Sequence, residues 1–254
     1  MNKYKQRERN LFSSNSKIPF RISRGKIDLF LDCSRCFYLD RKLGLARPSM
    51  PGFALNSAVD QLLKNEFDLL RKNGEKHELM KRYGINAVPY SHPDLPVWRD
   101  DIYRFIGASI IHKPTNFEIC GIIDDVWINQ KAELVIVDYK STSTSQKISL
   151  EDEYKQSFKK QLEIYQWIFR RMGFQVNDTG YFVYANAGRN RPKFDGRLEF
   201  ELMILSHQGD DSWVEPVILA IKKCLEDDKI PAANPSCEYC QYRKLMSGTE
   251  GDWI

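Results

Sequence analysis

The chain lacks any apolar run approaching the roughly 18 residues a membrane-spanning helix requires, so no bilayer crossing is expected. Its first residues lack the apolar centre of a secretory signal, so the expected location is cytoplasmic. There is no Walker-type glycine loop, which excludes a helicase or ATPase activity in this chain; any motor has to be a partner. Histidine is scarce, and His77, His92, His112 and His207 share no ligand-like spacing; they read as surface or loop residues. With 14 glycines and 11 prolines in 254 residues, there is no low-complexity tract or repeat, and global disorder is excluded. This length suits one large domain or two small ones.

What is present is unevenly placed. Residues 1–26 carry eight Lys or Arg against Glu8 alone, while the whole chain is only +4. A basic arm on a near-neutral body can hold a phosphate backbone, and so can a solvated terminus that holds nothing. Six cysteines occur, four of them in two CxxC pairs, Cys33–Cys36 and Cys237–Cys240. Disulfides are disfavoured in a chain with no export signal, and two CxxC pairs point to four thiolates on one metal centre. Such a centre closes a loop of about 200 residues and so restrains the unfolded chain, a structural role. Cys120 and Cys224 sit among apolar residues and read as core.

The segment 117–140 concentrates the chemistry. Phe117 to Ile128 reads as one strand, Asn129 to Ala132 as a turn, and Leu134-Val135-Ile136-Val137 as a strand buried on both faces. A turn centred near residue 131 sets Asp124 opposite Asp138, and Lys140 shares a face with Asp138 because strand side chains alternate. Asp125 then points to the other face. Two neighbouring carboxylates repel unless a cation sits between them, and oxygen ligands suit Mg2+ or Mn2+. Helices are expected over 54–72, with Leu55, Val59, Leu62, Leu63, Phe67 and Leu70 on its apolar stripe, over 154–172 and over 211–226. Strands are expected over 180–186 and 197–205. Gln161 and Tyr165 fall on one side of the 154–172 helix.

Gly121-Ile-Ile-Asp124, Ile136-Val-Asp138-Tyr-Lys140 and Gln161-Leu-Glu-Ile-Tyr165 resemble successive motifs of the PD-(D/E)XK nuclease superfamily. The Gln161/Tyr165 helix and the cysteines resemble its RecB-like branch, which includes the AddB and Cas4 nucleases. The resemblance implies an α/β fold, a mixed sheet flanked by helices, with a cysteine-ligated subdomain formed by both chain ends. It implies one nuclease domain over 21–243, the cysteine subdomain coming from 27–45 and 231–243, between a flexible basic arm 1–20 and a tail 244–254. Asp124, Asp138 and the backbone carbonyl of Tyr139 become divalent-ion ligands, Lys140 the catalytic lysine, and Gln161 and Tyr165 substrate-binding residues that also steady the site. Where the branch usually carries a histidine on its first core helix, this chain has Asp60, with Asn56 as the alternative alignment. The branch's [4Fe–4S] cluster uses one N-terminal and three C-terminal cysteines; here the split is two and two, which also suits tetrahedral Zn2+. The implied function is Mg2+- or Mn2+-dependent DNA cleavage in repair, recombination or DNA-end processing, with a helicase or a recombination or CRISPR-adaptation partner. The alternative is a non-catalytic nucleic-acid clamp.

Overall fold

The turn after Asn129 sets the register of the sheet. Asn129 Oδ1 accepts from the backbone N–H groups of Lys131 and Glu133 at 2.9 and 3.0 Å, and Ala132 takes a positive φ of 59°. That fold-back pairs Ile128 with Leu134 and carries the ladder to Asp125 opposite Val137. One further step sets Asp124 against Asp138.

The structure, a computed structural model, describes residues 5–49, 52–100, 106–152 and 155–248. In chain order the first elements are β1 (Phe20–Ser23), α1 (Arg24–Asp32), α2 (Ser34–Arg41), α3 (Ala54–Asn73), α4 (Glu78–Arg82), β2 (Ala87–Pro89), α5 (Leu95–Asp100) and β3 (Ala108–His112). There follow β4 (Phe117–Gly121), β5 (Asp125–Asn129), β6 (Leu134–Thr142), α6 (Gln156–Arg171), β7 (Thr179–Ala187), β8 (Phe200–Gln208), α7 (Val214–Glu226) and α8 (Glu238–Ser247). Among the described residues no helix is long and apolar enough to cross a membrane. The chain divides into two compact units.

One unit comprises residues 51–110 and 120–211. Its five-stranded sheet has the order β2-β5-β6-β7-β8; β6 and β7 run parallel and the other neighbours antiparallel. Odd-numbered residues of β6, Val135, Val137 and Tyr139, pack with Leu63 and Phe67 of α3 and with Trp127. The Phe67 ring stacks on Trp127 at 5.5 Å and Trp127 on Tyr181 at 5.7 Å. Even-numbered residues of β6 face α6, whose residues 161–169 are all buried. The expected apolar stripe of α3 is narrower than its sequence suggests: Leu63 and Phe67 are buried, whereas Leu55 and Leu62 are exposed.

The other unit comprises residues 1–50, 111–119 and 212–254. Here α1 packs on α2, and both pack on α7. The end of β3 and the start of β4 lie in its middle segment, and with β1 they form a three-stranded sheet of order β1-β4-β3. Phe12, Phe20 and Phe117 meet edge to face at 5.4–6.2 Å. Asp40, almost fully buried, is held by Arg7 at 2.8 Å and Lys26 at 2.6 Å. So two of the basic residues near the N-terminus neutralise a buried carboxylate, and the segment around Phe12 is packed rather than free. Residues 1–4 and 249–254, in the expected arm and tail, lie outside the described residues.

Three sequence expectations need correction. Phe117–Ile128 is two strands in different sheets, interrupted at Ile122–Asp124, because backbone groups there bond to Trp98 and Tyr165 instead of a ladder. The strand expected from 197 begins at Phe200, where pairing with Ala187 of β7 begins. His112 is buried rather than a surface residue, bridging Thr115 at 2.8 Å and Glu215 at 2.7 Å.

Candidate active site

The interruption between β4 and β5 positions Asp124. Ile123 N–H donates to Trp98 O at 3.0 Å, and Ile122 O accepts from Tyr165 OH at 2.7 Å. Gly121 is needed there: a Cβ at this position would collide with the Tyr165 ring. With the segment pinned on both sides, Asp124 Oδ2 accepts from Tyr139 N–H at 2.8 Å.

Asp138 sits on β6, fully buried. Its Oδ1 accepts from Gln161 Nε2 at 2.6 Å, and its Oδ2 forms an ion pair with the Lys140 ammonium. Gln161 Nε2 lies 3.4 Å from Tyr165 OH. Gln161 and Tyr165, four residues apart on α6, thus reach two different points: one holds the Asp138 carboxylate, the other the carbonyl two residues before Asp124. Both are buried. The Lys140 ammonium also lies over the Phe158 ring, 4.8 Å from its centre.

Burial raises the pKa of Asp124 from 3.8 to about 7, and the charge of Asp138 pushes it the same way. Lys140, Lys64 and the Tyr139 N–H act against that shift without cancelling it. Two neighbouring carboxylates that repel each other, Asp138 fully buried and Asp124 partly so, fit a dication.

Asp125 points the other way from Asp124, as alternation requires. It is fully buried, pairs with Arg71 of α3 and accepts from Tyr139 OH at 2.7 Å. Burial raises its pKa, and the Arg71 charge opposes the rise. Tyr139 therefore ties the two acids together, by its N–H to Asp124 and its OH to Asp125. Only a long-range pairing shows this; the sequence offered no signal beyond the adjacent acids.

Asp60, on α3, is paired with Lys64 at 3.0 Å, and Lys64 is almost fully buried. The Lys64 charge reaches Asp124, so Asp60 is linked to the acids through this lysine. Asn56 is exposed. The helical spacing of four between Asp60 and Lys64 was visible in the sequence, but not that a buried ammonium would face the sheet. Beside Lys140 lies a cavity of about 150 Å³ whose lining includes Ser141, Thr142, Lys147, Lys155 and Phe158. Its hydroxyl and ammonium groups suit a phosphate oxygen.

Candidate metal centre

The chain belongs to the PD-(D/E)XK nuclease superfamily, whose family model matches residues 21–245. No curated protein matches it. Among solved structures, one titled "Crystal structure of SSO0001" is similar at 18% identity, with a TM-score of 0.28, over 51% of this chain; this chain spans about half, 51%, of that one.

The four paired cysteines converge within one of the two units. Cys33 is the N-cap of α2 and Cys237 the N-cap of α8, so Cys36 and Cys240 fall in the first turn of each helix. Each CxxC pair is thereby folded across a helix N-terminus, where the backbone dipole favours a thiolate. The sulfurs of Cys33 and Cys240 are 3.9 Å apart, Cys36 and Cys237 3.7 Å, and Cys36 and Cys240 3.6 Å. All four lie within 4.8 Å of one another. Asn234 Nδ2 donates to Asp32 O at 2.7 Å, fastening the approach to the second pair onto the first. Cys120 and Cys224 take no part; Cys120 is buried in β4.

Burial raises the Cys33 pKa, but backbone N–H donors at Asn234 and Cys36 outweigh it and bring the thiol down to about 7. Burial, together with the neighbouring sulfurs, pushes Cys240 up to about 12. Four sulfurs so close compete for negative charge, which is the behaviour of a site completed by a cation. Arg47 supplies one positive charge: its Nη2 donates to Cys237 Sγ at 3.2 Å and pairs with Asp32 at 2.5 Å, and its guanidinium covers the Tyr239 ring at 4.5 Å. Arg47 had no motif to mark it, since it is adjacent in space and not in sequence.

Proposed function

We propose that this chain is a DNA nuclease of RecB/Cas4 type that hydrolyses phosphodiester bonds with Mg2+ or Mn2+. The observation that carries the reading is the linkage of Asp124, Asp138, Lys140, Gln161 and Tyr165 into one network just before β5 and in the middle of β6. Asp124, Asp138 and the Tyr139 carbonyl would hold the ion, with Asp60 joining directly or through water. Such an ion would polarise a phosphoryl oxygen and lower the pKa of a bound water towards neutrality.

The chain's own residues do the rest. Gln161 fixes the Asp138 rotamer by holding Oδ1, so that Oδ2 faces the Lys140 ammonium. Tyr165 holds the segment that carries Asp124. Lys140, still partly exposed, orients the attacking water and offsets charge on the phosphate. Ser141, Thr142 and Lys147 in the adjoining cavity receive the neighbouring backbone oxygens. The reading places the protein in the cytoplasm, in DNA repair, recombination or DNA-end processing, working beside a helicase or a recombination or CRISPR-adaptation partner.

The test is cleavage of single- and double-stranded DNA with Mg2+ or Mn2+, using Lys140→Ala as the control. Ion-dependent cutting that the substitution abolishes supports the reading. Tight DNA binding with no cutting under any ion makes the chain a non-catalytic clamp instead.

A further inference from the structure

The RecB-like resemblance implies a [4Fe–4S] cluster, and the sulfur cage described above does not fit one. Around a single zinc ion, with Zn–S bonds of about 2.3 Å and tetrahedral angles, ligand sulfurs stand about 3.8 Å apart. The separations here are 3.6, 3.7 and 3.9 Å. In a cubane cluster each cysteine binds a different iron, and four inorganic sulfides occupy the alternate corners. The cysteine sulfurs then sit outside the cube, spaced well beyond what one ion requires. A cage whose four sulfurs all lie within 4.8 Å of one another has no room for eight cluster atoms.

The surroundings agree with a compact dianionic centre. Four thiolates and one Zn2+ carry a net −2. Arg47 touches the cage through Cys237 and is itself held by Asp32 and Tyr239. The N-termini of α2 and α8 add their partial positive charge at Cys33 and Cys237. The two-plus-two division of the cysteines is also the arrangement in which each half-site is made by one tight turn at a helix start.

We propose that Cys33, Cys36, Cys237 and Cys240 hold a single tetrahedral Zn2+ rather than an iron–sulfur cluster, and that Arg47 is the positioning residue that neutralises it. With four protein ligands the ion has no open position, so its role is to hold the two CxxC helices together. The proposal is independent of the nuclease reading, because its readout is metal content.

The experiment uses the full chain, produced in medium supplying both iron and zinc and purified without oxygen. Zinc, iron and acid-labile sulfide are measured per chain. One zinc, a colourless solution and no sulfide are expected, and replacement by Co2+ should give the visible absorption of a tetrahedral cobalt thiolate. Because a cysteine variant that fails to fold tests nothing, Arg47→Met serves as the second probe: it keeps all four sulfurs and should weaken zinc retention against a chelator about 10–100-fold. A brown protein with about four irons and four sulfides per chain overturns the proposal, as does a folded chain with no metal. Unchanged zinc retention in Arg47→Met overturns the part assigned to Arg47.

Discussion

Replacing Asp124 by Asn should make the protein more stable while abolishing cleavage. The folded chain keeps a proton on Asp124 up to about pH 7, whereas the unfolded chain releases it near 3.8. Between those values the native state binds more protons than the unfolded state. Its contribution to stability is therefore full below about pH 4 and is lost as the pH rises through 7. A gap of about three pKa units at 1.36 kcal/mol each sets a ceiling of about 4 kcal/mol. Water penetration and relaxation around buried charges reduce this to about 2 kcal/mol. Asn cannot ionise, and its carbonyl oxygen can still accept from Tyr139 N–H. Thermal unfolding with no Mg2+ or Mn2+ added should place Asp124→Asn above the unsubstituted protein at pH 8 by about 4–8 °C. At pH 5 less than half of that difference should remain. Adding Mg2+ should raise the unsubstituted protein and leave the variant where it was. Equal melting at pH 8, or a difference independent of pH, would refute the account of Asp124.

Asp138→Ala should remove cleavage while leaving most DNA affinity, since phosphate contacts from basic residues supply the affinity; gel shift and nuclease assays on one preparation separate the two. Tyr165→Phe loses the hydrogen bond to Ile122 O and frees the segment before Asp124. A stability loss of about 1 kcal/mol by urea titration and a cleavage rate reduced about tenfold are expected. Asp125→Ala leaves Arg71 buried without its main counter-ion. Because Arg71 also reaches Asp68 and Tyr90 O, the cost should be about 3 kcal/mol, the low end for a broken buried pair, and chemical denaturation would expose a smaller value as an error.

The parts of the fold legible in the sequence were those encoded by local spacing. The Asn129 turn is symmetric about residue 131, so opposing Asp124 to Asp138 required only counting. The CxxC pairs advertised their sulfurs for the same reason, and α6 announced Gln161 and Tyr165 by a four-residue step. What escaped depended on contacts distant in the chain. Nothing local marks the break after Gly121, because it is enforced by Tyr165 and Trp98, more than twenty residues away on either side. Arg71 and Lys64 look like ordinary polar positions of an amphipathic helix until the sheet places acids beside them. Leu55 and Leu62 match the helical period yet stay exposed, since periodicity gives a face and not how much of it is covered.

The two units are interleaved along the chain, and this has a consequence for synthesis on the ribosome. The unit bearing Asp124 and Asp138 ends at residue 211. The cysteine-bearing unit also needs residues 212 onward. Cys33 and Cys36 emerge first and then wait 201 to 207 residues for the sulfurs they will face. At about 5–20 residues per second that interval is roughly 10–40 s. During it the nascent chain carries a dithiol open to stray metals and oxidants, while the acid pair is already complete. The order of manufacture therefore completes the acid pair before the sulfur cage, and the paired thiols of Cys33 and Cys36 are most open to oxidation until α8 leaves the ribosome.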